Sequence, residues 1–397
     1  MIKIQGKRNH AIVYTDKIDK ETKTQLAELL REKAFTDSKI RIMPDTHSGK
    51  GCIIGTTMTL SGRVCPALVG VDIGCGMETV IFEKNDINLK ELDELIHSKI
   101  PSGAKINTES LISDEKIDLS KLRCYSKINA ERAYRSIGTL GGGNHFIELD
   151  KDDDGFIYLI IHSGSRQLGN DVAKYYQDAA YKYQCKKARK DVRAASYEQR
   201  DDEEYYTKSS NREQKSKLSV VYERAILDGE LFDDYLHDIL IVQKFADINR
   251  KKMVEIIESG IGLCEKESFS NIHNYIDNER MILRKGAVSA NQGERVIIPL
   301  NMRDGALVCT GLGNPDWNFS APHGAGRICS RTEAKYAYNV EEFKEQMKGV
   351  YTTTANINTI DECPMVYKTP ESIIEFIGDT VTIDKIIRPV YNFKADN

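Results

Sequence analysis

Apolar and polar positions alternate in short, unequal bursts along the chain, and only a few stretches keep one period long enough to name an element. Residues 1–14 alternate weakly, which predicts an edge strand or hairpin. Residues 19–34 place Leu26, Leu29, Leu30 and Ala34 on one face of an amphipathic helix. Residues 40–55 read as a short strand, a loop holding Asp45 and His47, and a Gly-spaced strand. The apolar run 66–71 predicts a buried strand ending in a tight turn. A surface helix follows over 88–100, whereas 101–130 is polar and patternless. Further strands are expected at 158–161, 296–299, 306–309 and 383–391, and helices at 170–190, 218–257, 330–338 and 372–377. Between the two long helical segments, residues 186–217 are dense in both signs of charge, which predicts a solvated helical arm or a loop. Short strands ending in Gly-rich turns, flanked by amphipathic helices, point to an α+β fold.

Composition narrows this picture. With 397 residues, 40% hydrophobic and 29% charged, the chain reads as globular. A net charge of −4 announces no global basic field, so a nucleic-acid partner needs a local patch. Nine cysteines without a CxxC framework favour free thiols in a reducing compartment. No apolar run reaches membrane-span length and residues 1–8 carry no apolar signal core, so a cytoplasmic protein is expected.

The candidate chemistry sits on the turns. Val69-Gly-Val-Asp-Ile-Gly-Cys-Gly-Met77 offers a carboxylate, Asp72, and a thiol, Cys75, a mixed pair suited to manganese, iron or zinc rather than calcium. Gly138-Thr-Leu-Gly-Gly-Gly-Asn-His-Phe-Ile-Glu148 brings backbone close to something and adds Asn144, His145 and Glu148. His162-Ser-Gly-Ser-Arg-Gln-Leu-Gly169 joins a histidine to Arg166, and Asn271-Ile-His-Asn-Tyr275 adds His273. In Ser320-Ala-Pro-His-Gly-Ala-Gly-Arg327, small neighbours leave His323 accessible. Asp45 and His47 offer a second pairing, while His237 lies in a helical stretch and looks ordinary. These donors exceed the three or four that one metal needs, which suggests two metals or one histidine doing covalent work. Arg166, Lys285 and Arg327 beside the turns suggest phosphate. The residues alone predict a metal-dependent enzyme acting on phosphates, with hydrolase and transferase both open.

Taken together, Met43-Pro-Asp-Thr-His47, the turns at 69–77, 138–148 and 162–169, His273-Asn-Tyr275 and His323–Arg327 resemble the RtcB family of RNA-splicing ligases, in order and spelling, from about residue 40 onward. The resemblance implies one large α+β domain over 1–397, of mixed sheets with outer helices, a central metal cleft and a charged helical arm at about 170–258. It implies a ligase that uses GTP and two manganese ions to join RNA 3′-phosphate or 2′,3′-cyclic phosphate ends to 5′-hydroxyl ends, in RNA repair or tRNA splicing, with an activating protein as a further partner. By the same resemblance His323 is the guanylylated nucleophile and Asp45 orients it. Asp72, Cys75, His145, His162 and His273 hold the metals, with Cys75 bridging. Asn144, Glu148, Asn301, Ala325, Gly326, Tyr367 and Lys394 bind GTP, and Arg166, Lys285 and Arg327 meet RNA phosphate. The chain departs from the family at Pro299-Leu-Asn-Met302, where a Pro-Gly-Ser-Met run is usual. That departure keeps two alternatives open: a metal-dependent phosphoesterase that opens cyclic ends without GTP, and a non-catalytic RNA-binding protein.

Overall fold

Two antiparallel-dominated sheets take up most of the period-two segments, and their pairing decides which turns come together. The computed structural model describes residues 1–49, 51–112, 116–198 and 221–395. The six-stranded sheet runs in the order Ile2–Gln5, His10–Val13, Ile40–His47, Ile54–Thr59, Ile282–Lys285, Asn274–Asp277. Within it only His10–Val13 and Ile40–His47 pair in parallel. The seven-stranded sheet runs Glu265–Ile272, Gly76–Phe82, Ile157–Ser163, Phe146–Lys151, Val381–Lys394, Gly305–Gly311, Arg295–Asn301, antiparallel throughout. The fold is therefore mixed α+β, with helices outside the sheets.

Period-two alternation in the seven-stranded sheet builds two apolar layers. Val80, Phe82, Ile147, Leu149, Leu159 and Ile161 face one way, onto Leu92 and Ile96 of helix Leu89–Lys99 and Met253, Val254 and Ile257 of helix Glu230–Ile261. Met77, Ile81, Phe146, Tyr158 and Ile160 face the other way, onto Ile297, Ala306, Val308 and Ile387 of the same sheet. That second side also carries Glu148 and His162, which share register parity with Phe146 and Ile160.

Several expected elements shift for local reasons. Residues 66–71 are not a strand: Pro66–Val69 is one helical turn with proline at its start. A short apolar run does not reveal its period, and a proline cannot donate to a ladder. The buried strand lies beyond the turn instead, at Gly76–Phe82. The expected helix at 218–257 starts at Glu230, after the buried run Ala225, Ile226 and Leu227, and ends at Ile261 on left-handed Gly262. Helix Arg166–Glu198 enters the charged segment; the rest of that segment, 199–217, lies outside the described residues. The N-terminal helix, Lys20–Leu29, is capped by the Asp19 carboxylate accepting from Thr22 N. No described helix is long and apolar enough to cross a membrane.

Candidate active site

Four neighbouring strands of the seven-stranded sheet end at the same edge, and each ends on a candidate ligand. The register pairs Gly76 with Ser163 and with Ile272, and Phe146 with His162. Cys75, His145, His162 and His273 thus become neighbours although they are far apart in the chain. Cys75 Sγ lies 3.4 Å from His145 Nε2 and 3.3 Å from His162 Nε2, and ligand atoms of all three lie within 4.8 Å of one another. The His162 and His273 rings are 5.1 Å apart. Asp72 joins the group, its Oδ2 being 3.1 Å from His145 Nε2.

The imidazoles are oriented from behind. His145 Nδ1 lies 2.9 Å from the Leu140 carbonyl and His162 Nδ1 3.1 Å from the Asn144 carbonyl. A carbonyl only accepts, so each Nδ1 carries a proton; His162 Nε2 is left with a lone pair towards the thiol, as a metal-binding histidine requires, while His145 Nε2 faces the Asp72 carboxylate as well. His273 Nδ1 is buried without a hydrogen-bond partner among the described residues. An orphaned buried nitrogen is costly unless something fills it. Burial holds His162 and His273 well below the ordinary imidazole range, so both stay neutral. Burial pushes the Cys75 thiol well up, and the Asp72 charge adds to this; a bound divalent cation reverses that preference. For Asp72, burial opposes ionisation, yet the hydrogen bond and charge of His145 hold it below the ordinary carboxylate range. One carboxylate, one thiol and three imidazoles fit a first-row transition metal.

His323 stands beside this group, its ring 4.8 Å from that of His273. Its Nδ1 is 2.6 Å from Oδ2 of Asp45, which also accepts from the His323 backbone N–H at 3.2 Å. Asp45 is fully buried. Lys368 Nζ donates to the carbonyls of Pro44 and Thr46 at 3.0 and 2.9 Å, which pins the chain on either side of Asp45; Asp45 and His47 lie on strand Ile40–His47 and not on the expected loop. Gly326 must lack a side chain, since a Cβ there would lie 2.1 Å from the Asp45 carbonyl oxygen. His47 instead meets the Asp45 backbone carbonyl through Nδ1 and, half-buried, is pushed down to about 4 by desolvation. The Asp45 carboxylate therefore serves His323 and not its sequence neighbour.

The remaining expected residues separate into three groups. Near His323, Ala325 is buried in one cluster with Leu300, Ile298 and Tyr367, so the Pro299–Met302 run abuts the His323 segment. Asn301 is committed to its own turn: its Nδ2 donates to Asp304 and its Oδ1 accepts from the Arg303 and Asp304 amides. A second group surrounds Glu362, which the sequence reading missed. Glu362 accepts from Tyr367 Oη at 2.6 Å, Lys394 Nζ at 2.7 Å and Arg327 Nη1 at 3.0 Å, with Arg331 at 2.7 Å. Lys394 also reaches the Asn144 carbonyl at 3.3 Å, linking this group to the candidate ligands. Glu148 lies buried on the sheet, bonded to Asn392 Nδ2 at 2.5 Å, and burial pushes it up to about 7.

The phosphate candidates form the third group. Arg327 is fully engaged with Glu362, the Asp361 carbonyl and the Cys329 carbonyl. Arg166 donates to Thr139 Oγ1 and to the Gly103 carbonyl. It crosses Gly141, where a Cβ would lie 1.9 Å from its guanidinium, and that contact explains the glycine. The Lys285 ammonium makes no hydrogen bond or ion pair among the described residues and passes beneath Gly70.

Two further residues on helix Glu230–Ile261 escaped the sequence reading because their only local signal is a polar pair in an apolar helical stripe. Asn249 accepts from the Gly138 and Thr139 amides and donates to Ser163 Oγ and the Gly164 carbonyl. Arg250, also fully buried, donates to the carbonyls of Gly74 and Ser163 at 2.8 and 3.0 Å. This pair holds the turns that carry Cys75, His145 and His162.

Comparison with known proteins agrees with this arrangement. A family model described as "tRNA-splicing ligase RtcB" matches residues 25–124 and 107–395. The chain is 30% identical over 402 residues to an RNA-splicing ligase RtcB of Escherichia coli strain K12, covering 91% of each chain. It is 26% identical to a tRNA-splicing ligase RtcB of Methanococcus maripaludis, over 85% of this chain and 84% of that one. A tRNA-splicing ligase RtcB of Aeropyrum pernix is 25% identical, over 88% of this chain and 86% of that one. With a family model spanning nearly the whole chain, and with the turn ligands and the Asp45–His323 pair assembled at one sheet edge, the chain belongs to the RtcB family.

Proposed function

We propose that this protein is an RNA ligase that uses GTP and manganese to join an RNA 3′-phosphate, or a 2′,3′-cyclic phosphate after opening, to a 5′-hydroxyl. The observation that carries the reading is the Asp45–His323 contact at 2.6 Å beside the cluster of metal-type donors. With Nδ1 held by a buried carboxylate, Nε2 keeps its lone pair for attack, and the carboxylate stabilises the imidazolium character that develops. His323 Nε2 attacks the α-phosphorus of GTP; an N–P bond forms and pyrophosphate leaves. An oxygen of the RNA 3′-phosphate then displaces His323, leaving the RNA end capped by GMP. The 5′-hydroxyl attacks the RNA 3′-phosphorus, and GMP departs with the bonding electron pair. Asp72, Cys75, His145, His162 and His273 would hold manganese, which when bound would supply charge neutralisation at phosphate oxygens. Cys75 Sγ, within 3.4 Å of both the His145 and His162 Nε2 atoms, would be a thiolate donor shared with these imidazoles. Asn144, Glu148, Tyr367 and Lys394 are assigned to the nucleotide, and Arg166 and Lys285 to RNA phosphate. The names of the relatives support RNA as the substrate class.

One observation favours a second reading. Asn301 spends its side-chain amide within its turn, so it offers guanine nothing without breaking that turn. A phosphoesterase that opens cyclic ends without GTP follows if guanine no longer fits. The test is transfer of label from α-labelled GTP to the protein with manganese, for wild type and His323→Ala. Acid-labile label on wild type alone supports the ligase. Manganese binding without label, together with GTP-independent opening of cyclic ends, overturns it in favour of the phosphoesterase.

A further inference from the structure

The patternless stretch after residue 100 packs against the glycine turn of the site. Leu140 N donates to the Pro101 carbonyl and Gly103 N to the Gly141 carbonyl, and Ser102 bridges to Gly141. Asn107 closes the other end, its amide N–H bonded to the Arg135 carbonyl and its Nδ2 to the Ile137 carbonyl. The carbonyls of this segment collect guanidinium groups. Arg166 donates to the Gly103 carbonyl at 2.6 Å, Arg132 to the Ala104 carbonyl at 3.2 Å and Arg135 to the Asn107 carbonyl at 3.0 Å, while Lys105 projects as an exposed side chain.

What distinguishes this row is how its charge is compensated. Around Glu362, by contrast, Arg327 and Lys394 meet a carboxylate. Here Arg166, Arg132 and Lys105 form no ion pair among the described residues, and Arg135 has only the exposed Glu131, at 3.4 Å. Backbone carbonyls fix the guanidinium groups in place but leave their charge unneutralised. Burial lowers the hold of Arg166 on its proton, and the neighbouring charge of Arg132 adds to the effect while Asp72 opposes it. Like charges kept adjacent by a carbonyl scaffold are stabilised by an anion. From Gly103 to Asn107 the chain spans up to ~14 Å, long enough for more than one backbone phosphate.

We propose that Arg166, Lys105, Arg132 and Arg135 form a track for the sugar–phosphate backbone of a single RNA strand leaving the cleft, read by charge and not by sequence. The inference rests on RNA being the substrate. It extends the contact beyond Arg166, at the cleft itself, to three cations outside it. Contacts of this kind set register and affinity, whereas sequence discrimination needs base edges.

The test is fluorescence anisotropy with a labelled single-stranded RNA ending in a 3′-phosphate, titrated at several salt concentrations. The proteins are wild type, Lys105→Ala/Arg132→Ala and the charge-preserving Lys105→Arg/Arg132→Lys. Each phosphate contact on a single strand contributes about 0.7 to the slope of log affinity against log salt. The double alanine variant is expected to flatten the slope by about 1.4, equally for two unrelated RNA sequences, and the charge-preserving variant to keep it. Melting curves confirm that both variants fold. A wild-type slope that persists in the double alanine variant overturns the track alone. Wild-type protein that binds the RNA at no salt concentration overturns the track and the RNA reading together.

Discussion

Arg250→Met separates the scaffold of the site from its chemistry. The guanidinium is fully buried and donates to the carbonyls of Gly74 and Ser163, which flank Cys75 and His162. Methionine fills much of the volume but strands both carbonyls away from water, at about 1–3 kcal/mol each. Part of this is recovered, because a buried cation no longer has to be desolvated. The buried Glu78, which burial pushes up to about 7 against the pull of Arg250, takes up a proton and limits the loss further. A net cost of about 3–4 kcal/mol is expected. For 397 residues, at about 2.1 cal/mol/K each, the unfolding entropy is about 0.8 kcal/mol/K, so the midpoint falls by about 4–5 °C. Loosened turns misplace ligands that must meet within a few tenths of an ångström, so manganese affinity drops by roughly 10–100-fold. Scanning calorimetry gives the first quantity, and titration of free manganese by electron paramagnetic resonance gives the second. A variant that melts within about 1 °C of wild type and binds manganese as wild type does would refute the idea that this helix holds the metal turns.

Three further outcomes test the site. Asp45→Asn removes a charge-assisted hydrogen bond of about 1.5–3 kcal/mol, so label transfer from GTP to His323 should slow by roughly 10–100-fold with little change in melting; an unchanged rate would remove Asp45 from the mechanism. Cys75→Ala should abolish the rise in melting temperature that manganese produces in wild type, and persistence of that rise would place the metal elsewhere. Glu362 gives a pH signature: burial works against its ionisation, yet Lys394, Arg331 and Arg327 hold it at about 2, below its ordinary 4.5. A folded-state value below the unfolded one contributes stability above about pH 4.5 that is lost as pH falls towards 2, here about 3 kcal/mol. Glu362→Gln should remove that acid-limb loss in urea melts at stepped pH, and an identical acid limb would contradict the assignment.

Residue types and turn chemistry were legible in the sequence; distances were not. The Gly-rich turns, the donors on them and the flanking helices could be read directly, because glycine punctuation and helical periodicity are local properties. Residues 66–71 were misread because four apolar residues have no distinguishable period, and only proline at the first position hinted at helix. Asn249, Arg250 and Glu362 stayed hidden because a buried polar residue earns its place through partners that are remote in the chain. Arg250 reaches Gly74 across 176 residues.

The sequence by itself determined which atoms are available: a thiol, carboxylates and imidazoles, most of them beside Gly-rich turns. Only the tertiary structure decided their relations. Antiparallel register, set by side-chain alternation over whole strands, brings Cys75, His145, His162 and His273 to one edge. The Asp45 carboxylate turns from His47, two residues away, to His323, 278 residues away. The reason is physical: strand ends and loops are placed by the burial of the apolar faces behind them, so the geometry of a polar site is fixed by residues that take no part in its chemistry.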